Sequence, residues 1–446
     1  MSIARTESAR DSAPVRDQSR AAESNRDLTA AVSDRFREDL SSIFGKPQSQ
    51  DLTRTAQRDT GTVNDAAERK ASVVPDKTFN EFARNNGLDT RQTPDGKLEF
   101  SLRYKGEKLT IGSVEKTGDG LKEINKSLKE FTELKKWELE KTYGVKFAKP
   151  GEPGPRQMDR DSKGREVPGK ELEVRDPKLR EVLGIEAALE KANPSQKSAN
   201  GKPLTFYFLK NESFAPGMDG AASYYPNVNG GPAVIVDPGS TDRAVITEKD
   251  RKDGDTSDHR SIESLMIHEL GHNSEEKVFK NPKEQADFYK KMGWAPIPGM
   301  PPGQGGWMLK GRDGRGYTPP SDGSIGKWER IDRNGRVTAK VDAERVERLA
   351  KEKPATHYFE GPHEVLAEGA TMLRLGDGHR THLMEKNPRL YNLIKGFDQR
   401  EIDRDLGKGK FIRSYDGKVV PRTDESIKAL HDREEVERAK IRSRSR

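Results

Sequence analysis

Residues 267–273 read Ile-His-Glu-Leu-Gly-His-Asn, which sets His268 and His272 four positions apart with Glu269 beside the first. On a helix that spacing puts both imidazoles on one side, a turn apart, so both can reach a single cation. Neutral imidazole nitrogens suit Zn2+, and a glutamate next to the first ligand can take a proton from a water polarised there. Chance gives roughly 0.01 such H-E-x-x-H patterns in a chain with this histidine and glutamate content. The bland alternative is a surface helix with two solvated histidines. Ile267 and Leu270 argue against it, because they flank the polar residues and imply burial. A buried His-Glu-His cluster with neither metal nor partners would be costly.

Zinc needs a further protein ligand, and the chain has no cysteine, so a distant carboxylate or histidine must serve. The metzincin continuation is excluded, since Glu275 and Val278 stand where it requires a glycine and a third histidine. The strongest candidate segment is His363-Glu364-Val365-Leu366-Ala367-Glu368, with two glutamates again four apart on a predicted helix. His363 points about 100° away from its neighbour Glu364 on such a helix and reads as a supporting residue. His379 and His382 fall in what reads as a polar loop and are weak ligand candidates. Asp253–Asp258 lacks the glycine and glutamate of a calcium loop. Gly311–Gly316 lacks the lysine of a phosphate loop and reads as a turn.

A helix of the type E-x-x-A-E following H-E-x-x-H resembles the gluzincin metallopeptidases, and locally the catalytic domains of anthrax lethal factor and the Pro-Pro endopeptidases. A weaker likeness lies in Ala221–Tyr225 followed by Ala233–Val236, where those enzymes place a substrate-binding edge strand. The resemblance spans about 200 residues and leaves out residues 1–170. It implies that Glu364 is the third zinc ligand and that Glu368 holds a ligand imidazole by its other N–H. It also implies an aromatic hydroxyl before the third ligand that stabilises the oxyanion. Either Tyr358 or His357 can donate that hydrogen bond; Tyr358 is preferred because it has the residue type the family uses, although His357 is nearer the expected spacing. Ala222, Ser223 and Tyr224 would form the edge strand. His272 and Glu364 lie 92 positions apart, further than in most relatives. The Pro- and Gly-rich segment 281–341 reads as an insertion, either a lid or specificity element or a surface subdomain.

The implied fold class is α+β. It comprises a zincin-like domain with a small mixed sheet, an edge strand, an active-site helix and a second, Glu-bearing helix, preceded by a small α+β module. Residues 1–76 are rich in Ser, Arg, Asp, Ala and Thr and read as disordered, with one transient helix around 28–43. Residues 77–147 read as the module: a hairpin on Leu98, Phe100, Leu102 and Tyr104, then a helix burying Leu121, Ile124, Leu128, Phe131, Leu134 and Trp137 up to Gly144. Residues 148–170 read as a linker. The metallopeptidase domain would run from 171 to 400, its first helix capped by Asp176 and Pro177. Hairpins are expected at Trp307–Lys310 with Asp313-Gly314 and at Trp328–Ile331 with Asn334-Gly335. Residues 401–446 read as a charged helical tail. No repeat at solenoid or propeller period is present.

Of 446 residues, 81 are Lys or Arg and 74 Asp or Glu, a surplus of only seven positive charges. The signs are interspersed, so nucleic acid is not expected as a partner, apart from weak contact through the basic end Ile441–Arg446. No apolar run reaches the ~18 residues of a membrane span, and the first thirty residues lack a signal-peptide core. The expectation is therefore a cytoplasmic protein, or one exported without a classical signal, such as a bacterial effector. The expected activity is a zinc-dependent endopeptidase with one Zn2+ per chain, Glu269 as base, and a protein or peptide as substrate. The alternative is a non-catalytic effector or binding module that keeps the zincin-like fold. The sequence carries no signal for oligomeric state.

Overall fold

The computed structural model describes residues 76–104, 107–160, 166–199, 201–214, 222–241, 261–300, 306–319, 327–353 and 361–444. All belong to one compact unit, residues 71–446. The expected disorder and helix within residues 1–75 lie outside the described residues.

The chain is of the α+β class. It begins with helix α1 (Asp76–Asn86) and an antiparallel sheet of β1 (Asp89–Gln92), β2 (Leu98–Tyr104) and β3 (Glu107–Val114). The expected hairpin is β2–β3, and β1 is an unforeseen third strand. Helix α2 (Gly118–Tyr143) starts at Thr117, whose side chain accepts from the Gly120 N–H, and stops at Gly144 with φ 66°. Its buried stripe is Ile124, Leu128, Phe131, Lys135 and Leu139. The sequence pattern placed Leu134 and Trp137 there instead, but they are 38 % and 55 % exposed. Lys135 takes the buried position because its ammonium is neutralised: Nζ lies 2.7 Å from Glu138 and 3.1 Å from Glu186.

No break separates this region from the central part of the chain. Strand β4 (Lys146–Phe147) runs parallel to β9 (Thr205–Phe208), and Leu139, Val145 and Phe147 share one core with the central helices. Residues 148–170, expected as a linker, carry the hairpin strand β5 (Arg156–Arg160) and most of its partner β6 (Glu166–Glu171). Helix α3 (Leu179–Lys191) starts at Lys178 rather than Asp176, since Glu181 reaches back to the Lys178 N–H at 2.6 Å. After a 3-10 turn (Pro194–Lys197) come β7 (Ser198–Ala199), β8 (Lys202–Pro203), β9, β10 (Ala222–Val228) and β11 (Gly231–Val236). The central sheet has the order β10-β11-β9-β4, with β10 antiparallel at one edge and the others parallel.

Helix α4 (Ile262–Val278) packs across α3, where Gly184 leaves the room that Ile262 occupies. Residues 281–341 are more than hairpins. They open with helix α5 (Pro282–Lys291) and continue as a five-stranded antiparallel meander: β12 (Trp294–Pro296), β13 (Trp307–Lys310), β14 (Gly316–Thr318), β15 (Lys327–Ile331) and β16 (Val337–Asp342), then α6 (Ala343–Leu349). Both expected hairpin turns are present. The meander is no separate subdomain, because Trp294, Trp307, Tyr317 and Trp328 share a core with α7 (Pro362–Leu375). Next come α8 (Asp377–Lys386), α9 (Pro388–Leu406), β17 (Phe411–Arg413), β18 (Val419–Pro421) and α10 (Asp424–Arg444). His379 and His382 therefore lie on a helix, not in a loop.

The expected boundary at residue 400 falls inside α9, and residues beyond it are structural. Arg374 of α7 donates to Asp398 at 3.1 Å and to Glu401 at 2.7 Å, while Arg413 donates to Asp398 and to the Asn193 side chain. Burial would push the Asp398 carboxyl up, but Arg413 and Arg374 outweigh it and hold it below its ordinary value. Its contribution is thus present above the usual carboxylate range and is lost as pH falls through and below about 4. Asp398→Ala leaves two buried guanidiniums short of their anion and is expected to cost about 3–5 kcal/mol. The measurement is the shift of the urea unfolding midpoint at neutral pH, with the deficit shrinking in acid.

Candidate metal centre

Ser261 starts α4 by accepting a hydrogen bond from the Ser264 N–H at 2.9 Å. Ile262, Leu265, Met266, Ile267 and Leu270 are buried, which seats His268 and His272 inside the molecule. Helix α7 starts with Pro362 in its first turn and is buried along almost its whole length. The two helices meet where Gly271 faces Ala367, and a Cβ on Gly271 would sit 3.4 Å from the Ala367 Cα. Two of the smallest residues at the crossing let the backbones approach. The ligand pairs stand one turn apart on each helix around that point.

The crossing brings together His268, His272 and Glu364. His268 Nε2 lies 3.1 Å from His272 Nε2 and 3.2 Å from Glu364 Oε2, and His272 Nε2 lies 3.6 Å from the same oxygen. On the far side of the ring, His268 Nδ1 meets Glu368 Oε1 at 3.0 Å. A proton on Nδ1 facing Glu368 leaves Nε2 with its lone pair toward the other two atoms. Three electron-rich atoms then converge, an arrangement that calls for a cation. Tetrahedral Zn2+ with bonds of about 2.0–2.1 Å sets neighbouring donors about 3.3–3.4 Å apart, and the three separations bracket that value. The residues present fit the ion.

The electrostatics agree. Burial opposes protonation of His268, but the hydrogen bonds to Glu364 and Glu368 outweigh it and push its pKa well above the ordinary value. His272 shifts up as well, with burial overcome by Glu364. Glu364 moves the other way: burial is outweighed by the two histidines, which hold it well below the carboxylate range. Without a metal, protons supply the positive charge the cluster demands. His363 faces the other Glu364 oxygen at 3.4 Å, and burial keeps it below its ordinary value.

Glu269 is 5 % exposed. Burial raises its carboxyl, opposed by His268 and His272 and by a hydrogen bond from the main-chain N–H of Tyr224. That bond joins the base to strand β10, and the Tyr224 hydroxyl adds a second link by donating to Asn273 Oδ1 at 2.8 Å. Asn273 in turn donates Nδ2–H to the Gln196 carbonyl at 2.9 Å, and Gln196 donates to the Leu270 carbonyl. Sequence reasoning missed Asn273 and Gln196. Their one signal is an amide directly after the second histidine of a helix that had to be buried.

Ala222, Ser223 and Tyr224 lie in β10, as expected for the edge strand. Strand β10 stands at the edge of the sheet among the described residues, paired with β11 on one side. Pro226, at the irregularity that follows Tyr225, has no N–H to offer, and proline is tolerated at edges and bulges. Tyr358 and His357, the expected oxyanion donors, lie outside the described residues.

Purified protein dialysed against a weak chelator is expected to retain about one zinc per chain by elemental analysis. Glu364→Ala should empty the site, and Glu368→Ala should weaken binding about 10- to 100-fold, because Glu368 orients a ligand rather than ligating.

No family model, curated protein or solved structure matches this chain, so the reading of the centre rests on its own residues.

Proposed function

We propose that the chain is a zinc-dependent endopeptidase with a zincin-like fold of the gluzincin type. The observation that carries this reading is the juxtaposition of three convergent candidate ligand atoms, a buried carboxylate on Glu269 outside that set, and β10, the edge strand of the sheet among the described residues, tied to the same helix. His268, His272 and Glu364 would hold the ion, with Glu368 orienting His268. When bound, Zn2+ would acidify a water and polarise a peptide carbonyl.

The chain's own groups do the rest. Glu269 accepts the proton of the attacking water at its carboxylate and delivers it to the leaving nitrogen. Its burial beside the two histidines places the carboxyl against the site without spending it on the ion. Strand β10, at the edge of the central sheet among the described residues, aligns an extended substrate beside the centre. The link from Tyr224 to Asn273 fixes the height of the strand relative to helix α4. A non-catalytic metal site has no use for a buried carboxylate that ligates nothing.

Glu269→Gln is expected to keep its zinc and its thermal midpoint while hydrolysis of an unfolded protein such as reduced casein falls about 10²- to 10⁴-fold. Full metal loading with no hydrolysis by the unaltered chain would instead leave a binding module. Tyr224→Phe removes one hydrogen bond and should lower kcat/KM about three- to tenfold with zinc content unchanged.

A further inference from the structure

The meander carries two turns of one design. Arg312-Asp313-Gly314-Arg315 closes β13 onto β14, and Arg333-Asn334-Gly335-Arg336 closes β15 onto β16. Gly314 and Gly335 take φ values of 77° and 79°, the left-handed region that glycine enters freely. Gly316 pairs with Ile331, so the turns stand side by side at one end of the sheet. All four arginines are exposed.

The acids beside them are engaged in building the turns. Asp313 accepts from the Tyr317 hydroxyl at 2.6 Å and from the Arg315 N–H; Asp332 accepts from the Asn334 and Arg336 N–H groups. Arg315 keeps a loose pair with Asp313 at 3.9 Å, whereas Arg312 and Arg333 carry no ion pair among the described residues. The turns need Asp or Asn followed by Gly; nothing in their geometry needs arginine on both sides.

Strands about 4.8 Å apart spread β13–β16 over roughly 14 Å, the length of about four residues of extended peptide. Guanidinium forks match carboxylates. Val337, 52 % exposed next to Arg336, adds an apolar contact that suits a peptide side chain rather than a phosphate chain. The aromatic rings of this sheet, Trp307, Tyr317 and Trp328, are buried and offer no platform for stacked bases. We propose that the paired Arg-x-Gly-Arg turns are a docking surface for an acidic, extended segment of a protein partner, held by guanidinium–carboxylate pairs with an apolar side chain against Val337. The surface is independent of hydrolysis, so it stands or falls apart from the peptidase reading. Because the sheet shares a core with α7, a docked partner is held in a fixed relation to the helix bearing Glu364.

The test is fluorescence anisotropy of the full chain with a labelled ten-residue peptide of alternating Glu and Leu, alongside a ten-nucleotide oligothymidylate. The Arg312→Glu/Arg333→Glu variant, at exposed turn positions, should keep its thermal midpoint and bind the peptide at least tenfold more weakly. A control with the same charge change on α2, Lys122→Glu/Lys126→Glu, should bind it like the unaltered chain. Equal loss in the control would reduce the effect to net charge and overturn the proposal. Absence of peptide binding would overturn it too, as would tighter binding of the oligothymidylate that the turn variant abolishes, which would mark a nucleic-acid face.

Discussion

The approach of α4 and α7 at Gly271 and Ala367 is the constraint on which the rest depends. The histidines sit on one helix and the glutamates on the other, and their reactive atoms come within 3.1–3.6 Å only because neither backbone carries a bulky side chain at the crossing. Such crowding of ionisable groups in a dry interior is unfavourable unless a positive charge sits among them. The structure meets that demand with compensating shifts, two imidazoles up and one carboxylate down. Everything around the crossing resists its relaxation. Gly184 seats α4 on α3, Gly369 seats Ile394 of α9 against α7, and the Arg374–Asp398–Glu401–Arg413 network fastens the far end of α7.

The same helices link chemistry to recognition. Asn273 follows the second histidine by one position, which carries its amide away from the ligand atoms and toward β10 and the 3-10 turn. One side chain thereby sets the strand edge and the ligand helix in register. A proposed base that receives its hydrogen bond from the main chain of the same strand cannot shift without the strand shifting too. On the proposed reading, the geometry of a bound peptide and the position of the proton acceptor would become a single variable.

Much of the centre was legible because its signals are local. The i, i+4 histidines, the i, i+4 glutamates and the Asp-Gly and Asn-Gly turns each follow from residue type and helix or hairpin periodicity alone. What escaped was decided by distant partners. Lys135 outranks Trp137 for burial because Glu186 lies 51 positions away in sequence and beside it in space. Arg413 read as part of a charged helical tail, yet it is the buried counter-ion of Asp398. The two-residue strand β4 is too short for any periodicity, and the 148–170 segment hid a hairpin in a composition typical of linkers. Asn273 shows no pattern; its role exists only once β10 and residues 193–197 have converged on it.

The 92 positions between His272 and Glu364 carry a consequence for synthesis. The histidine pair leaves the ribosome first, with only two of the three proposed ligands in place. The meander emerges next, its sequential strands each pairing with the one before, so its contacts are local in sequence and can form while the chain is still growing. Its aromatic core then waits as a template for α7, whose Val365, Leu366 and Leu373 complete it. Docking of that helix delivers Glu364 to the histidines. On the proposed zinc reading, high-affinity metal capture would be a late event that reports completion of the whole core, and a chain truncated before residue 364 would hold the cation only loosely.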